Sequence, residues 1–214
     1  MPRTVETVVY ALGELPDAAK ERARAWYRET CLDHEWYDAV FEDFEAVCTI
    51  LGVTLRTSPV KLMGGGTRDD AHVFFRGFHS QGDGACFEGS YAHARGSAKG
   101  IRAHAPTDTE LHRIADVLQA VQRPNFFQLG ALIRHRGHYC HEYCMAIEVE
   151  RDSPTRQDMT DGAEDTVIEA LRDLARWLYR QLQREYEYLS SDAVVDETIA
   201  VNGWTFTVEG GRFG

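Results

Sequence analysis

The chain has 214 residues, 43% of them hydrophobic and 11% aromatic, enough apolar mass for a folded core without staples. Its 34 Asp and Glu against 23 Lys and Arg leave a formal net charge of −11. That balance excludes a general nucleic-acid binder and a protein docked on anionic membrane, since both need a cationic surface.

Thr4 to Leu12 is rich in β-branched residues and predicts a strand. Leu15-Pro16-Asp17 opens a helix, with proline and an acid in the first turn where both are tolerated. A second helix is predicted from about His34 to Leu51. Trp36, Val40, Phe41, Phe44, Val47, Cys48 and Leu51 recur on one face, and Gly52 follows as a terminator. Val53 to Leu62 reads as a strand demoted to an edge by Pro59, and Gly64 to Asp70 as a flexible connection. Ala71 to Phe78 and Ala85 to Tyr91 form a predicted hairpin across His79 to Gly84. A short helix is expected from Ser97 to His104. Thr107 with Glu110 matches a capping box for the next helix, which Pro124 ends. Phe126 to His135 and Tyr139 to Glu150 alternate and predict a second hairpin across Arg136-Gly137. After a polar loop from Arg151 to Gly162, a long helix from about Ala163 to Leu189 carries Val167, Leu171, Leu174, Leu178, Leu182 and Tyr186 as its stripe. A short helix follows Ser190-Ser191-Asp192, and Gly203 to Val208 is the last expected strand.

Strands come as hairpins with no βαβ rhythm. The predicted class is α+β: an antiparallel sheet with helices packed mainly on one face. One domain over residues 1–214 is expected, with a helical C-terminal subdomain over 152–214 as a variant. No apolar stretch approaches the ~20 residues that span a bilayer. Met1 to Glu6 lacks the basic and apolar regions of a signal peptide, and the five cysteines are odd in number and dispersed. A cytoplasmic protein is the expectation.

Two segments carry candidate chemistry. His79, Ser80, Gln81 and Asp83 sit among Gly82 and Gly84, where small residues let backbone approach a ligand and side chains supply oriented hydrogen bonds. The competing reading is a turn whose polar groups satisfy their own backbone. No phosphate-loop or dinucleotide fingerprint is present. The second segment runs from His135 to Cys144 and invites a zinc reading through His135, His138, Cys140, His141 and Cys144. Treated as a strand, it holds Cys140 and Cys144 about 13 Å apart at ~3.3 Å per residue, too far for one ion. His141 points to the opposite face, and His138 and Cys140 share one with His135 across the turn, at most a three-ligand set of unusual spacing, so no metal ligand set and no cofactor are assigned. A Cys86/His79 nucleophile–base pair is conceivable, but no catalytic residue can be assigned.

The acids gather on definable faces. Asp38, Glu42 and Glu45 fall near one side of the second helix, either as a solvated face or as a surface complementary to a basic groove.

Four stretches carry a family resemblance: Leu15 to Ala23, Gly77 to Phe87 (GFHSQGDGACF), Glu110 to Ala115, and Gln183 to Leu189. Together the chain resembles a family encoded by bacteriophages and prophages, often labelled automatically as antitoxins of toxin–antitoxin stability systems. The resemblance implies a host bacterial cytosol and raises counter-defence roles, anti-CRISPR activity among them. The leading expectation is a non-enzymatic interaction protein that inhibits a host protein or protein–nucleic acid complex with a basic groove, or a toxin. It makes no direct contact with nucleic acid or membrane, and a homodimer is left open. The alternatives are a binder of a small ligand such as a nucleotide signal at His79 to Gly84, and a metal- or thiol-dependent enzyme.

Overall fold

The computed structural model describes residues 3, 6–32 and 35–214. In chain order the elements are β1 (Tyr10–Ala11), α1 (Asp17–Thr30), α2 (Asp38–Leu51), β2 (Val53–Leu55), β3 (Thr57–Lys61), β4 (Thr67–Ala71), β5 (Val73–Arg76), β6 (Gly84–Phe87) and β7 (Gly89–Ala92). Then come α3 (Ser97–His104), α4 (Thr109–Gln122), β8 (Leu129–His135), β9 (Met145–Arg151), α5 (Ala163–Leu189), α6 (Asp192–Val201), β10 (Thr205–Phe206) and β11 (Arg212–Phe213). The α+β class and the hairpin construction hold, and among the described residues the strands divide among four small antiparallel sheets instead of one. Among the described residues no helix is long and apolar enough to cross a membrane.

The chain forms two compact units, residues 1–38 with 183–214, and residues 39–182. In the first, α1 and α6 enclose Ala19, Ala23, Tyr27, Val195, Ile199 and Phe206. Trp26 meets Trp204 edge-on at 5.2 Å, and Arg24 bonds both oxygens of Asp196 at 2.7 Å. In the second, the four-stranded sheet has the order β2-β7-β8-β9. Phe44 of α2 meets Phe87 of β6 at 5.4 Å and Trp177 of α5 at 6.5 Å, and all three are buried. The α5 stripe buries Val167, Leu171, Leu174, Leu178 and Leu182 at helical spacing. Gly52 has φ +88° and ends α2, and Cys48 is a core residue.

One feature organises the second unit. Arg56, His72 and Glu88 are the single residues between β2 and β3, β4 and β5, and β6 and β7. Their backbones bond in a ring: Arg56 N donates to Glu88 O (2.9 Å), Glu88 N to His72 O (2.9 Å), and His72 N to Arg56 O (2.7 Å). Three ribbons thus meet at one point and exchange partners there. β2 pairs with β7, β3 with β4, and β5 with β6.

Five local expectations are corrected. The first predicted strand shrinks to Tyr10–Ala11, because Leu12–Glu14 tightens into a 3-10 turn whose Glu14 carboxylate accepts the Ala11 N–H at 2.8 Å; Thr4 and Val5 lie outside the described residues. The second helix starts at Asp38, and His34 also lies outside the described residues. The Gly64–Asp70 connection is the turn and second strand of the β3–β4 hairpin. That strand is exposed along most of its length, so no apolar alternation marks it. The cap of α4 is Asp108 and not Thr107, its carboxylate accepting from Glu110 N at 3.1 Å and Leu111 N at 2.9 Å. The second hairpin has shorter arms. β8 starts after Phe126 and Phe127, both at left-handed φ, and β9 starts only at Met145, after a 3-10 turn over Glu142–Cys144.

Candidate functional site

The polar hairpin and the His/Cys segment, separate in sequence, are packed against each other. Asp83 Oδ2 accepts from the backbone N–H of His79 at 2.9 Å and of Ser80 at 2.6 Å, so this carboxylate is committed to the turn. His79, Ser80 and Gln81 are exposed. The glycines serve close approach. A Cβ on Gly82, where φ is +88°, would lie 2.3 Å from the Tyr139 ring. One on Gly84 would lie 2.7 Å from both Cys140 O and His141 Cβ. The Gly-Asp-Gly motif is therefore the seat of the loop 139–141.

That seating brings distant ligands together. A donor atom from each of Cys86, His135 and Cys140 lies within 4.8 Å of the other two. Cys86 sits in β6 and is fully buried, while His135 ends β8. His135 Nε2 lies 2.8 Å from the Tyr139 carbonyl, which can only accept, so Nε2 carries the ring proton. The ring stacks on Phe74 at 5.0 Å. Burial pushes the Cys86 thiol far up, with the Cys140 and Cys144 sulfurs adding to it, and burial also raises Cys140. The loop is fixed from a second side. Glu142 accepts from Arg176 Nε at 2.9 Å, and the Tyr143 ring lies under the guanidinium groups of Arg172 and Arg176. The strand over 139–144 that separated Cys140 from Cys144 does not form, and the partner brought to Cys140, Cys86, is 54 positions away in sequence. His138 is exposed, with Nε2 3.4 Å from Arg76, and His141 Nε2 lies 3.4 Å from Cys144 Sγ. The histidine brought within 4.8 Å of Cys86 is His135.

A third constellation was invisible in the sequence. Ser58 Oγ lies 2.7 Å from His72 Nε2, and His72 Nδ1 lies 2.6 Å from Glu88 Oε2. Glu88 Oε1 also accepts the His135 backbone N–H at 3.1 Å, and Arg56 stands 3.4 Å from Oε2. Burial opposes ionisation of Glu88. The hydrogen bonds from His72 and His135 and the Arg56 charge outweigh it and hold the carboxyl below the usual range. These side chains radiate from the three-ribbon junction and clamp it.

Of the acids on α2, Asp43 lies 2.7 Å from His104 Nε2. Asp38 opens the helix; Glu42 and Glu45 follow, and all three are exposed. Among the described residues none of the three has an ion-pair partner, whereas Glu21, Glu110, Asp116, Glu142, Glu148, Glu169, Asp173, Asp192 and Asp196 all bind arginines. Glu45 and Thr49 form one wall of a cleft of about 270 Å³, and Leu55, Thr57 and Ala71 line the other side. Beyond the cleft, the β3–β4 hairpin exposes Val60, Leu62 and Met63, the last completely.

A family model described as a domain of unknown function (DUF8835) matches residues 36–192. No curated protein and no solved structure matches the chain.

Proposed function

We propose that this chain, a member of the DUF8835 family, is a non-catalytic binding protein that occupies a basic surface of a partner. The observation that carries the reading is the pairing of unneutralised acids with exposed apolar residues. Glu45 lines a cleft whose other side includes Thr57 and Ala71 at the base of the hairpin that exposes Val60, Leu62 and Met63, and Glu42 precedes Glu45 by three residues on α2. Acids without internal partners keep their field for an incoming cation and steer association. Exposed apolar residues on a two-stranded hairpin, open at both edges, supply the contact area that charge alone does not. The resemblance to phage-encoded proteins supplies the partner class in this reading: a host defence complex that handles nucleic acid, with a cationic groove. The ligand-binding alternative at His79 to Gly84 has less support, because Asp83 is spent on its own turn.

The test is capture from host lysate at low and raised salt, followed by charge reversal. Wild-type protein should retain a partner that raised salt releases. Glu42→Lys with Glu45→Lys should abolish retention while circular dichroism stays unchanged. Reversing Glu150, an exposed acid on β9, should leave retention intact. Equal retention by the α2 variant rules the reading out.

One observation favours a second reading. Hydroxyl, imidazole and carboxylate in the order Ser58–His72–Glu88 also describe an activated serine. On that reading a fluorophosphonate probe labels the native protein, and Ser58→Ala abolishes the label. On the clamp reading no label forms, and Ser58→Ala costs only about 1 kcal/mol of stability.

A further inference from the structure

We infer that Cys86, His135 and Cys140 bind a thiophilic divalent cation of the zinc class. The three donors come from two strands and one loop, and each is held by contacts of its own. Cys86 is fixed in β6 by pairing with Phe74 of β5. His135 is paired with Met145 at the end of β8. Cys140 is carried by a loop pressed onto Gly82 and Gly84 and tied to α5 through Glu142 and Arg176.

Mutual separations within 4.8 Å suit donors converging on one ion. Ligands at ~2.0–2.3 Å from a tetrahedral centre stand less than 4 Å apart, so a small contraction closes the set. The chemistry of the set selects the metal. Two sulfurs and one imidazole are soft and intermediate donors, which favour zinc over magnesium or calcium.

The imidazole is prepared for ligation. Because Nε2 donates to the Tyr139 carbonyl, the neutral ring keeps its lone pair on Nδ1. A ligating histidine that donates its other N–H to a backbone carbonyl is the usual outer-shell arrangement. The stacked Phe74 ring fixes the plane of the imidazole.

The alternative is two protonated thiols packed beside a histidine. It makes little use of the hold on Cys140, whose loop is pressed onto Gly82 and Gly84 and tied to α5 through Glu142 and Arg176. A bound cation displaces those protons and cross-links β6, β8 and the loop, which are far apart in sequence. Three protein donors leave one tetrahedral position for a further donor.

The experiment uses the full chain, stripped with chelator and kept reduced under anaerobic conditions, then titrated with zinc and separately with cobalt(II). One equivalent should bind, thermal stability should rise, and the cobalt form should show thiolate charge-transfer absorption. Cys140→Ser and His135→Gln should each weaken binding at least about tenfold, while His138→Gln leaves it unchanged. Cys86 is buried and its replacement can unfold the chain, so the partly exposed Cys140 provides the decisive variant, with its fold checked by circular dichroism. Equal zinc uptake by Cys140→Ser and wild type, or no tight equivalent on reduced protein, overturns the inference.

Discussion

Glu88→Ala should destabilise the 39–182 unit by about 3 kcal/mol, a drop in melting temperature of roughly 10 °C. The substitution deprives three groups at once: His72 Nδ1 at 2.6 Å, the His135 backbone N–H at 3.1 Å, and the Arg56 guanidinium at 3.4 Å. The last contributes little because Arg56 is mostly exposed. The first two dominate, since Glu88 and His72 keep only 13% and 20% of their side-chain surface, and a donor left unpaired there costs its desolvation. His72→Ala combined with Glu88→Ala should be markedly less damaging than the sum of the single changes, because both remove the same bond. Chemical denaturation of the four proteins at neutral pH gives the comparison; additive losses would show that the two residues do not act as a unit. The pH dependence has a definite sign. The folded-state pKa of Glu88 is lowered, so its contribution is complete above the unfolded carboxylate value of about 4.3. It fades as pH falls through the lower folded value. Wild type and Glu88→Ala should therefore converge in stability under acid, and diverge again above about pH 5.

That junction marks the limit of what was legible in the chain. Helices α1 and α5 follow from apolar periodicity close to where the structure puts them, because each buries one stripe against a local core. The hairpin across His79 to Gly84 follows from Asp-Gly between apolar runs. What no local pattern encodes is that Arg56, His72 and Glu88 interrupt three ribbons at the same place. Ser58 and His72 are ordinary in sequence, and their relation to Glu88 exists only after non-local pairing. The Cys86–His135–Cys140 cluster failed to show for a related reason. Tyr139, His141 and Tyr143 alternate as a strand would, yet beyond the expected turn at Gly137 the backbone turns again at Glu142–Cys144 before β9 begins. Extending a strand through that loop separated Cys140 from Cys144 and His141, and nothing local pointed to Cys86 as its partner. The α2 acids were readable by spacing. That Asp38, Glu42 and Glu45 have no ion-pair partner among the described residues was not, since pairing depends on where every arginine lands.

Gly84→Ala is the sharper of the two tests, because one methyl group tells whether the hairpin exists to seat the loop. Gly84 has no left-handed backbone angle, so alanine meets no conformational penalty of its own. The added carbon does meet Cys140 O and His141 Cβ at 2.7 Å, and His141 Cα at 2.8 Å. Two of these atoms belong to backbone, and real Cβ contacts essentially never fall under 3.0 Å. Either the loop lifts or β6 shifts, and β6 is buried at all four positions. The loop must give, at a cost of about 2–3 kcal/mol, typical of forcing a methyl into a packed site. Gly64→Ala in the β3–β4 turn is the control: nothing lies within 4 Å of its Cβ, and its stability should stay within about 0.5 kcal/mol of wild type. Denaturation midpoints measure both. If Gly84→Ala matches Gly64→Ala, the loop is not seated on the motif. A lifted loop also carries Cys140 away from Cys86 and His135, so the same variant should bind zinc more weakly while Gly64→Ala binds it normally. Loss of stability with unchanged zinc affinity would separate the two roles, leaving the motif as a packing device and the ligand set independent of it. Loss of both makes the Gly-Asp-Gly turn the support on which the Cys140 ligand is placed. In that case its sequence is unusual because of the loop it receives, and His79, Ser80 and Gln81 are free to vary with little effect on either measurement.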